Sequence, residues 1–531
     1  MSSRLLLPRR QFLIASAAAG STGLPGILAQ AQAPAAVTRD AARPQFPSGV
    51  QSGDVLADRG IVWSRSDRSA RMWVEWSTQA SMANAQRLRG PHALEATDFS
   101  ARVDLTGLPA GQDIFYRVQF EDLAGGGLSE PMAGHFRTAP ATRRNVRFQW
   151  SGDTAGQGWG INADFGGMKI YEAMRQRNPD FFIHSGDTIY ADGVIQAEVK
   201  LADGSTWRNT VLTEEKSHVA QSLKDFRGAH RYNQLDEPMR RFNSEVMQVW
   251  QWDDHEVTNN WSSAKDLSAD KRYTEKNVAL LSARGARAFL ENAPMRWYAQ
   301  EEEQRVYRKI SHGPLLDVFV IDMRSYRGPN TTNRQTAINA DSVYLGPQQL
   351  AWLRDGLKHS TAVWKVIASD MPIGLVVDDG KDAQGNPKFE AVANGDGPAL
   401  GRELEMAQLL SFIKHQKIRN TVWLTADVHY TAAHHYHPNR AQFQDFEPFW
   451  EFVSGPLHAG TFGPNPLDNT FGPEVKYVKA PAAGQVNLPP SAGMQFFGEV
   501  EIDGPSAAMT VHLRDLQGDS LWHTTLAPQR G

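Results

Sequence analysis

The chain of 531 residues contains no cysteine. This absence excludes disulfide bonds, thiolate metal sites, cysteine nucleophiles and iron–sulfur clusters. Any metal ion must therefore be held by Asp, Glu, His, Tyr or amide groups. The chain is long enough for two or three domains with a large core, and that core must be stabilised by packing alone.

Long basic runs are also missing, and the formal net charge is −4. The sequence therefore has no nucleic-acid-binding signature. Beyond the N-terminus no apolar stretch is long enough to span a membrane, so we expect no transmembrane span in the mature chain. The hydrophobic content of 41% and the charged content of 21% are ordinary for a globular protein.

Residues 1–33 have the composition of an export signal. Arg9 and Arg10 precede a mildly apolar run that is rich in Ala and Gly, and small residues follow at Ala29–Ala33. Charged, apolar and small-residue regions in this order predict export, and the adjacent arginines resemble a twin-arginine signal. We expect a periplasmic or secreted protein that uses the twin-arginine export machinery as a partner.

Residues 45–140 predict an N-terminal β-sandwich domain of fibronectin or immunoglobulin type. Segments 60–65 and 70–76 read as two strands joined by a polar turn, and segment 114–118 alternates as a strand does. Short strands at this spacing are typical of a small sandwich.

Residues 141–531 predict a layered α/β domain, because apolar strand-like runs alternate with helical segments. The strand candidates are Val146–Trp150, Phe181–His184, Val246–Trp252, Leu315–Ile321, Trp364–Ala368 and Thr421–Thr425. The helix candidates are Gly167–Asn178, Asn277–Glu291, Pro347–Lys358 and Glu403–Lys417.

Four loops with acidic or histidine side chains each follow a strand candidate. They contain Asp153, Asp187, Tyr190, Asp254, His255, Asp427 and His429. Open α/β sheets place their sites at the carboxyl ends of strands, so we expect these side chains to converge. Two metal ions that share one carboxylate would fit this set, with Asp187 as the bridge beside Tyr190.

The donor types indicate which ions would suit the site. Tyrosinate is a strong ligand only for an ion of high charge, which favours ferric iron near Tyr190. The oxygen donors of Asp254 and Asp427 favour a hard cation such as calcium or manganese. Two such ions would bind a phosphoryl group and provide a metal-held hydroxide as the nucleophile. His255 could then stabilise charge or protonate the leaving oxygen.

The motifs in their order resemble those of the alkaline phosphatase D (PhoD-like) metallophosphatases, which are relatives of the purple acid phosphatases and of the calcineurin-like metallophosphoesterases. The resemblance covers nearly the whole mature chain. The Asp-Asp-His-Glu and Ala-Asp-Val-His blocks are its most specific parts. It is carried by residues 52–54, 61–65, 186–190, 252–256, 321–327, 345–350 and 425–429.

The resemblance implies a catalytic domain with two mixed sheets flanked by helices. It also implies two ligand sets, one for iron and one for a second ion. Asp153, Asp187, Tyr190 and His429 would hold Fe³⁺, and Asp187, Asp254 and Asp427 would hold Ca²⁺, with Mn²⁺ or Zn²⁺ also open at the second position. Many family members carry Cys where this chain has Asp153, and a carboxylate there resembles the purple acid pattern, so the metal identities stay open.

We therefore expect an exported, metal-dependent hydrolase of phosphoric esters with His255 as a catalytic residue. The substrate would be a small phosphate ester or a phospholipid head group. A phosphodiesterase or phospholipase D-like enzyme on the same scaffold is the close alternative. A non-catalytic exported binding protein is a second one.

Several further residues and segments have more than one interpretation in the sequence. The run 434–437 with its histidines favours a solvated or site-rim position over a metal site. Arg324 and Arg327 are equally suited to gripping phosphate and to pairing with acids in the core. Segment 378–397, rich in Gly, Asp and Asn, could form a calcium loop, but it is more typical of a surface lid or insertion near the site.

Overall fold

The computed structural model describes residues 43–297 and 305–529. The export signal predicted for residues 1–33 lies outside the described residues. Among the residues that are described, no helix is both long enough and apolar enough to cross a membrane.

The N-terminal part consists of strands in two sheets. A four-stranded antiparallel sheet has the order β4-β3-β6-β7, while β1, β2 and β5 belong to a larger sheet. Buried and half-buried residues alternate along β3 and β6, as expected for a sheet with one face in the core. The strands are β1 (Val50–Gly53), β2 (Arg59–Arg65), β3 (Ala70–Ser77), β4 (Gln86–Ala93), β5 (Ser100–Thr106), β6 (Asp113–Asp122) and β7 (Met132–Arg137).

The remaining strands and the helices alternate along the rest of the chain. The strands are β8 (Val146–Ser151), β9 (Phe181–Ser185), β10 (Glu198–Lys200), β11 (Thr206–Arg208), β12 (Met247–Gln251), β13 (Arg308–Ser311), β14 (Leu316–Val320), β15 (Trp364–Ala368), β16 (Asp378–Lys381), β17 (Pro387–Phe389), β18 (Thr421–Thr425), β19 (Thr431–Tyr436), β20 (Phe449–Val453), β21 (Pro473–Lys479), β22 (Phe496–Ile502), β23 (Met509–Asp515) and β24 (Ser520–Leu526). The helices are α1 (Ile170–Gln176), α2 (Leu223–Asn233), α3 (Glu237–Glu245), α4 (Val278–Asn292), α5 (Pro347–His359) and α6 (Glu403–His415).

Two large mixed sheets, as predicted, form the centre of the described structure. One has the order β24-β23-β22-β8-β9-β12-β1-β2-β5, and the other has the order β13-β14-β15-β18-β20-β19-β21. Strands β8, β9 and β12 are parallel neighbours in the first sheet, and β14, β15, β18 and β20 are parallel in the second. The N-terminal strands join the first sheet through β1, which pairs with β12 in parallel at Gly53 and Gln248.

One buried cluster contains apolar residues from both large sheets, including Phe148 and Val249 of the first and Val366 and Leu424 of the second. A second cluster joins the second sheet to α5 and α6, with Ile367 packed among leucines of these helices. Two further clusters join the first sheet to α1–α4. The strands are buried on both faces, which explains their nearly continuous apolar sequences.

Local sequence signals set several helix ends. Helix α2 begins with a capping box in which Ser222 and Asp225 each accept the other's backbone N–H. Asn277 caps α4 through the N–H of Leu280. The predicted helices match α1, α4, α5 and α6 with small shifts at the ends, whereas α2 and α3 were not among the helix candidates.

Candidate metal centre

The carboxyl ends of four strands bring the predicted site residues together. Asp153 and Asp187 lie two residues after β8 and β9, and Asp254 lies three residues after β12. Asp427 lies two residues after β18 of the other large sheet. Because β8, β9 and β12 are parallel neighbours, their ends meet at one edge of the sheet, and β18 supplies Asp427 and His429 from the second sheet.

The loops turn sharply where the acids stand. Asp153, Asp187, Asp427 and His429 have positive φ values of 69°, 51°, 65° and 61°. Asp and His tolerate this left-handed region better than most residues, and such backbone strain is concentrated at functional sites. Gly186 has a φ of 102°, and a Cβ there would lie 2.4 Å from the Cβ of Asp253. The glycine therefore allows the β9 loop to approach the β12 loop.

Potential ligand atoms of Asp153, Asp187 and His429 lie within 4.8 Å of one another. His429 Nε2 is 3.7 Å from Asp153 Oδ1 and 2.9 Å from the hydroxyl of Tyr190. The other ring nitrogen of His429 is held by the carbonyl of Gly460. This bond directs Nε2 towards the two aspartates and the tyrosine.

A second and a third group of side chains adjoin the first. Asp187, Asp254 and His255 form one group within 4.8 Å, and Asp253, Asp254 and Asp427 form the other. Asp187 and Asp254 each belong to two groups, so all three groups are contiguous. The predicted second set of Asp187, Asp254 and Asp427 is thus divided between two groups, and the ligand assignments stay predictions.

His255 is fixed by a carboxylate that the sequence reading did not name. Its Nδ1 lies 2.6 Å from Asp192 Oδ1, while its Nε2 is 4.0 Å from Asp254 Oδ2. The ring also packs against the ring of Tyr190, with the centroids 4.2 Å apart and the planes tilted by 36°. The Asp192 contact leaves Nε2 directed towards the acidic groups.

Electrostatics within the cluster are unfavourable for so many negative charges. Burial and the charge of Asp253 raise the pKa of Asp153 well above its usual range. Burial and the charge of Asp254 do the same to the pKa of Asp187, and burial and Asp253 raise the pKa of Asp427.

The aromatic donors of the site respond to the same surroundings. Burial and the charge of Asp187 raise the pKa of Tyr190 well above its usual range. Burial lowers the pKa of His429 to about 4, so its imidazole is neutral. For His255, burial acts to lower the pKa, but the charges of Asp192 and Asp254 raise it to about 10.

A cavity of about 290 Å³ opens onto these groups. Its acidic wall includes Glu390, and its rim carries amide and apolar side chains. Among the described residues, no Arg or Lys lines it. The lining residues are Gln157, Asp187, Asp254, His255, Asn259, Asn260, Val377, Glu390, Asp427, Val428, His429, Phe462 and Asn465.

Arg324 pairs with acids rather than lining the cavity. It is fully buried and forms ion pairs with Asp253 and Glu390, and its Nε lies 3.1 Å from Asp370 Oδ2. Its Nη2 also reaches within 3.5 Å of Asp427 Oδ1. The arginine is shared among Asp253, Glu390, Asp370 and Asp427, so its single charge compensates these four carboxyl groups only in part.

The other sequence expectations have mixed outcomes. Segment 378–397 forms the β16–β17 hairpin, and Glu390 and the preceding Val377 line the cavity, which places it near the site as predicted. The prediction of a solvated or rim position is wrong for His434, which is buried and bonded to Glu451 at 3.1 Å.

Asp192 and Glu256 are the residues that sequence reasoning missed. Glu256 accepts the backbone N–H groups of Asp187 and Thr188, at 3.3 and 2.6 Å, and so holds the β9 loop. Glu256 lies within segment 252–256, and Asp192 lies two residues after segment 186–190. Their position in or near these motifs was the sequence signal that could have identified them.

The donor set fits metal cations. Asp153 Oδ2 is buried and has no hydrogen-bond partner among the described residues. Burying an unpaired carboxylate is costly, and coordination to a cation is a common way to compensate it. Carboxylate, imidazole and phenol groups are ligands for hard and borderline metal ions.

Two solved phosphatase structures have a fold similar to that of this chain. A structure titled "Structure of PhoD" has a TM-score of 0.67 at 20% identity, covering 92% of this chain and 90% of that one. Purple acid phosphatase PPD1 from yellow lupin (Lupinus luteus) seeds has a TM-score of 0.54 at 12% identity, covering 91% and 74%. The chain thus has a PhoD-like fold with purple acid phosphatases as structural neighbours.

Sequence comparison identifies the family to which the chain belongs. The PhoD-like phosphatase model matches residues 148–513, and the model of the PhoD-like phosphatase N-terminal domain matches residues 30–140. The chain is similar to alkaline phosphatase D of Bacillus subtilis (strain 168), with 26% identity over 435 residues that cover 78% of this chain and 69% of that protein. The chain belongs to the PhoD-like phosphatase family and is a phosphoric ester hydrolase.

Proposed function

We propose that this chain is an exported phosphoric ester hydrolase that works with two metal ions at the candidate centre. The observation that carries the proposal is the contiguity of the three ligand groups, in which Asp187 and Asp254 are each shared. A shared carboxylate suits a pair of adjacent cations, which together can bind a phosphoryl group.

Asp153, Asp187, Tyr190 and His429 would hold one ion, for which we propose Fe³⁺. Asp187, Asp254 and Asp427 would hold the other, for which we propose Ca²⁺. A cation of high charge would be needed to displace the proton of Tyr190, whose pKa is raised by burial. When bound, the ions would supply activation of water and binding of the phosphoryl group.

His255 would act as the proton donor to the leaving oxygen. Asp192 fixes its Nδ1, so that only Nε2 is directed towards the cavity that both His255 and Asp254 line. A positioned imidazole that donates a proton in the transition state contributes typically about 10²–10⁴-fold to the rate. Asp192 would be a positioning residue for this step.

The amide side chains at the rim would orient the substrate. Asn259, Asn260 and Asn465 line the cavity and carry neutral donors and acceptors. The backbone N–H of Asn260 donates to Asp254, which fixes this part of the rim to the candidate centre.

A phosphodiesterase or phospholipase D-like activity is the second candidate, and the lining of the cavity favours it. No Arg or Lys among the described residues lines the cavity, whereas Glu390 does. A phosphomonoester dianion has one more charge to compensate than a diester monoanion. A site in which His255 is the only cationic side chain among the described lining residues is therefore better matched to the diester.

The experiment is the hydrolysis of an aryl phosphate monoester against the matching aryl diester by protein purified without chelator. The assays are repeated after chelation and after return of calcium. Turnover that is lost on chelation and restored by calcium supports the proposal, and the ratio of the two rates assigns the preference. Full turnover of either ester by protein shown to be metal-free by elemental analysis would overturn it.

Export is tested separately from activity. Replacing Arg9 and Arg10 by lysine should retain the protein in the cytoplasm, as measured by fractionation, if the signal is of the twin-arginine type. Normal export of this variant would refute a twin-arginine route without bearing on the hydrolase proposal.

A further inference from the structure

A second concavity is lined by five cationic side chains. Its volume is about 680 Å³, and no Asp or Glu among the described residues lines it. We call it the basic pocket. Its cationic side chains are Arg143, Lys358, Lys365, Lys417 and Arg419, and the hydroxyls of Ser360 and Ser506 also line it.

The exposed cations of the basic pocket lack acidic partners among the residues that the structure describes. Within residues 43–297 and 305–529, no ion pair joins Arg143, Lys358 or Lys417 to a carboxylate, and Arg419 contacts only an uncharged oxygen of Gln529 at 3.4 Å. Elsewhere arginines are commonly paired, as Arg137 is with Asp113 at 2.6 Å. The positive charges of the pocket are therefore uncompensated although the chain as a whole is slightly acidic.

Lys365 places a cation in the wall of the pocket. It is 9% exposed, and its Nζ donates to the carbonyl of Ala362 at 2.7 Å. Asp317 lies near Lys365, but it already accepts from Ser360 at 2.7 Å and lies 3.6 Å from Lys309. Burial lowers the pKa of Lys365, and the charge of Asp317 opposes this lowering only in part. An ammonium has three donors, and a bound anion would use those that Ala362 leaves.

The basic pocket lies at the opposite end of the sheet from the candidate metal centre. Lys365 stands near the start of β15, whereas Asp370, which contacts Arg324 behind the centre, follows the end of β15. Five residues of extended chain separate them by about 16 Å. Asn420 and Asp427 bracket β18 in the same way.

We infer that the basic pocket is a second ligand site that binds a small oxyanion with several phosphate or sulfate groups. Two guanidinium groups can bind such groups bidentately, and the ammonium groups and hydroxyls add further donors. The inference concerns a site separate from the catalytic one and does not depend on the proposed function.

The test is calorimetric titration of the metal-loaded protein with inositol hexasulfate, a multivalent sulfate ester that is not a phosphoric ester. We expect one ligand per chain, bound more weakly as salt is raised, because exposed charges are screened. The variant Lys417→Glu/Arg419→Glu should bind at least about tenfold more weakly, since two attractive contacts become repulsive.

The matched control is Arg89→Glu/Lys271→Glu, which changes the net charge equally at two exposed cations outside the pocket. We expect it to keep the parent affinity within about twofold, apart from general screening effects. Equal weakening in both variants would show non-specific attraction and overturn the inference, as would no binding to the parent.

Two further measurements separate folding and catalysis from binding. If Lys417→Glu/Arg419→Glu unfolds, Arg143→Glu/Lys358→Glu replaces it with the same expected weakening and the same control. Loss of the titration signal in Asp187→Asn, with retention in the pocket variants, would place the probe at the catalytic centre and overturn the inference.

Discussion

Buried carboxylates are compensated differently in two regions of the first large sheet. Glu499 of β22 is fully buried and accepts from Arg177 and Arg514, each at 2.9 Å, and from Gln149 at 3.1 Å. Burial acts to raise the pKa of Glu499, but the hydrogen bonds from these partners lower it below its usual value. At the candidate centre the pKa values of Asp153, Asp187 and Asp427 are raised instead.

These opposite pKa shifts distinguish buried acids with a structural role from buried acids that are arranged to bind a cation. Around Glu499 the chain supplies its own cations, so no ligand is needed. At the candidate centre Arg324 is shared among several acids, and one oxygen of Asp153 has no hydrogen-bond partner within residues 43–297 and 305–529. Such an arrangement destabilises the metal-free protein, and it is expected where an external cation binds.

The largest expected effect is the loss of catalysis in Asp187→Asn. We expect activity to fall by about 10⁴-fold or more, because metal-dependent stabilisation of the transition state is worth several kcal/mol. The metal content should fall with it. Parallel measurement of ester hydrolysis and elemental composition checks this. The thermal midpoint should not fall below that of the metal-free parent, since a buried acid is replaced by a neutral amide. Parent-like activity would contradict the role of Asp187.

A smaller effect, on stability rather than activity, is expected around Glu499, whose charge is compensated by arginines. Arg514→Met should lower the free energy of unfolding by about 1.5–3 kcal/mol, the usual contribution of a hydrogen bond to a charged group. Denaturant titration measures it. The folded variant should keep the parent kcat, and a large loss of kcat with unchanged metal content would show that the two regions are not independent.

Loss of the residue that positions His255 is expected to lower kcat less than loss of a metal ligand. Asp192→Asn should lower kcat by about 10–100-fold, the usual cost of losing a partner that orients a site residue, with a smaller change in KM. Steady-state kinetics and metal analysis are the measurements. A purely structural role would instead lower the thermal midpoint and leave kcat of the folded enzyme unchanged. Asp192→Glu should recover part of kcat.

A change in the pH dependence of stability, with no change in activity, is expected for a third way to accommodate a buried acid. Burial and the neighbouring charge of Asp468 raise the pKa of Glu403 to about 9. The folded state therefore keeps a proton that the unfolded state loses above about pH 4.5. Stability contributed by this proton is full at low pH and is lost as the pH rises towards 9, by up to about 1.4 kcal/mol per pH unit.

Glu403→Gln should remove this dependence, because the amide stays neutral and its oxygen can still accept from the N–H of Leu400. Denaturant titrations of parent and variant from pH 5 to 9 measure the two slopes. Equal slopes would mean that Glu403 ionises normally in the folded protein.

Much of the fold was predictable because its central strands are short, apolar and β-branched. Candidates Trp364–Ala368 and Thr421–Thr425 coincide with β15 and β18. The signals for α2 and α3 were weaker, since these helices are polar over most of their surface. No local pattern indicates that β1, β2 and β5 extend the first large sheet, because such pairing depends on residues far apart in sequence.

The candidate site was predictable where acids directly follow apolar strands. The structure brings Asp153, Asp187, Asp254, Asp427 and His429 together for that reason. The sequence did not decide the role of Arg324, because an arginine beside an acid-rich motif can either bind the phosphate of a substrate or pair with acids in the core. Asp192 was missed because its partner His255 lies 63 residues away in the chain.

The position of β22 in the first large sheet has a consequence for synthesis and truncation. This strand, Phe496–Ile502, is the neighbour of β8, and β8 leads into Asp153. During synthesis from the N-terminus, one edge of β8 stays without its partner while more than 300 further residues are added. A premature stop or a proteolytic cut near residue 495 would therefore damage the catalytic end of the molecule, although it removes only a C-terminal segment that is distant from the site motifs in sequence.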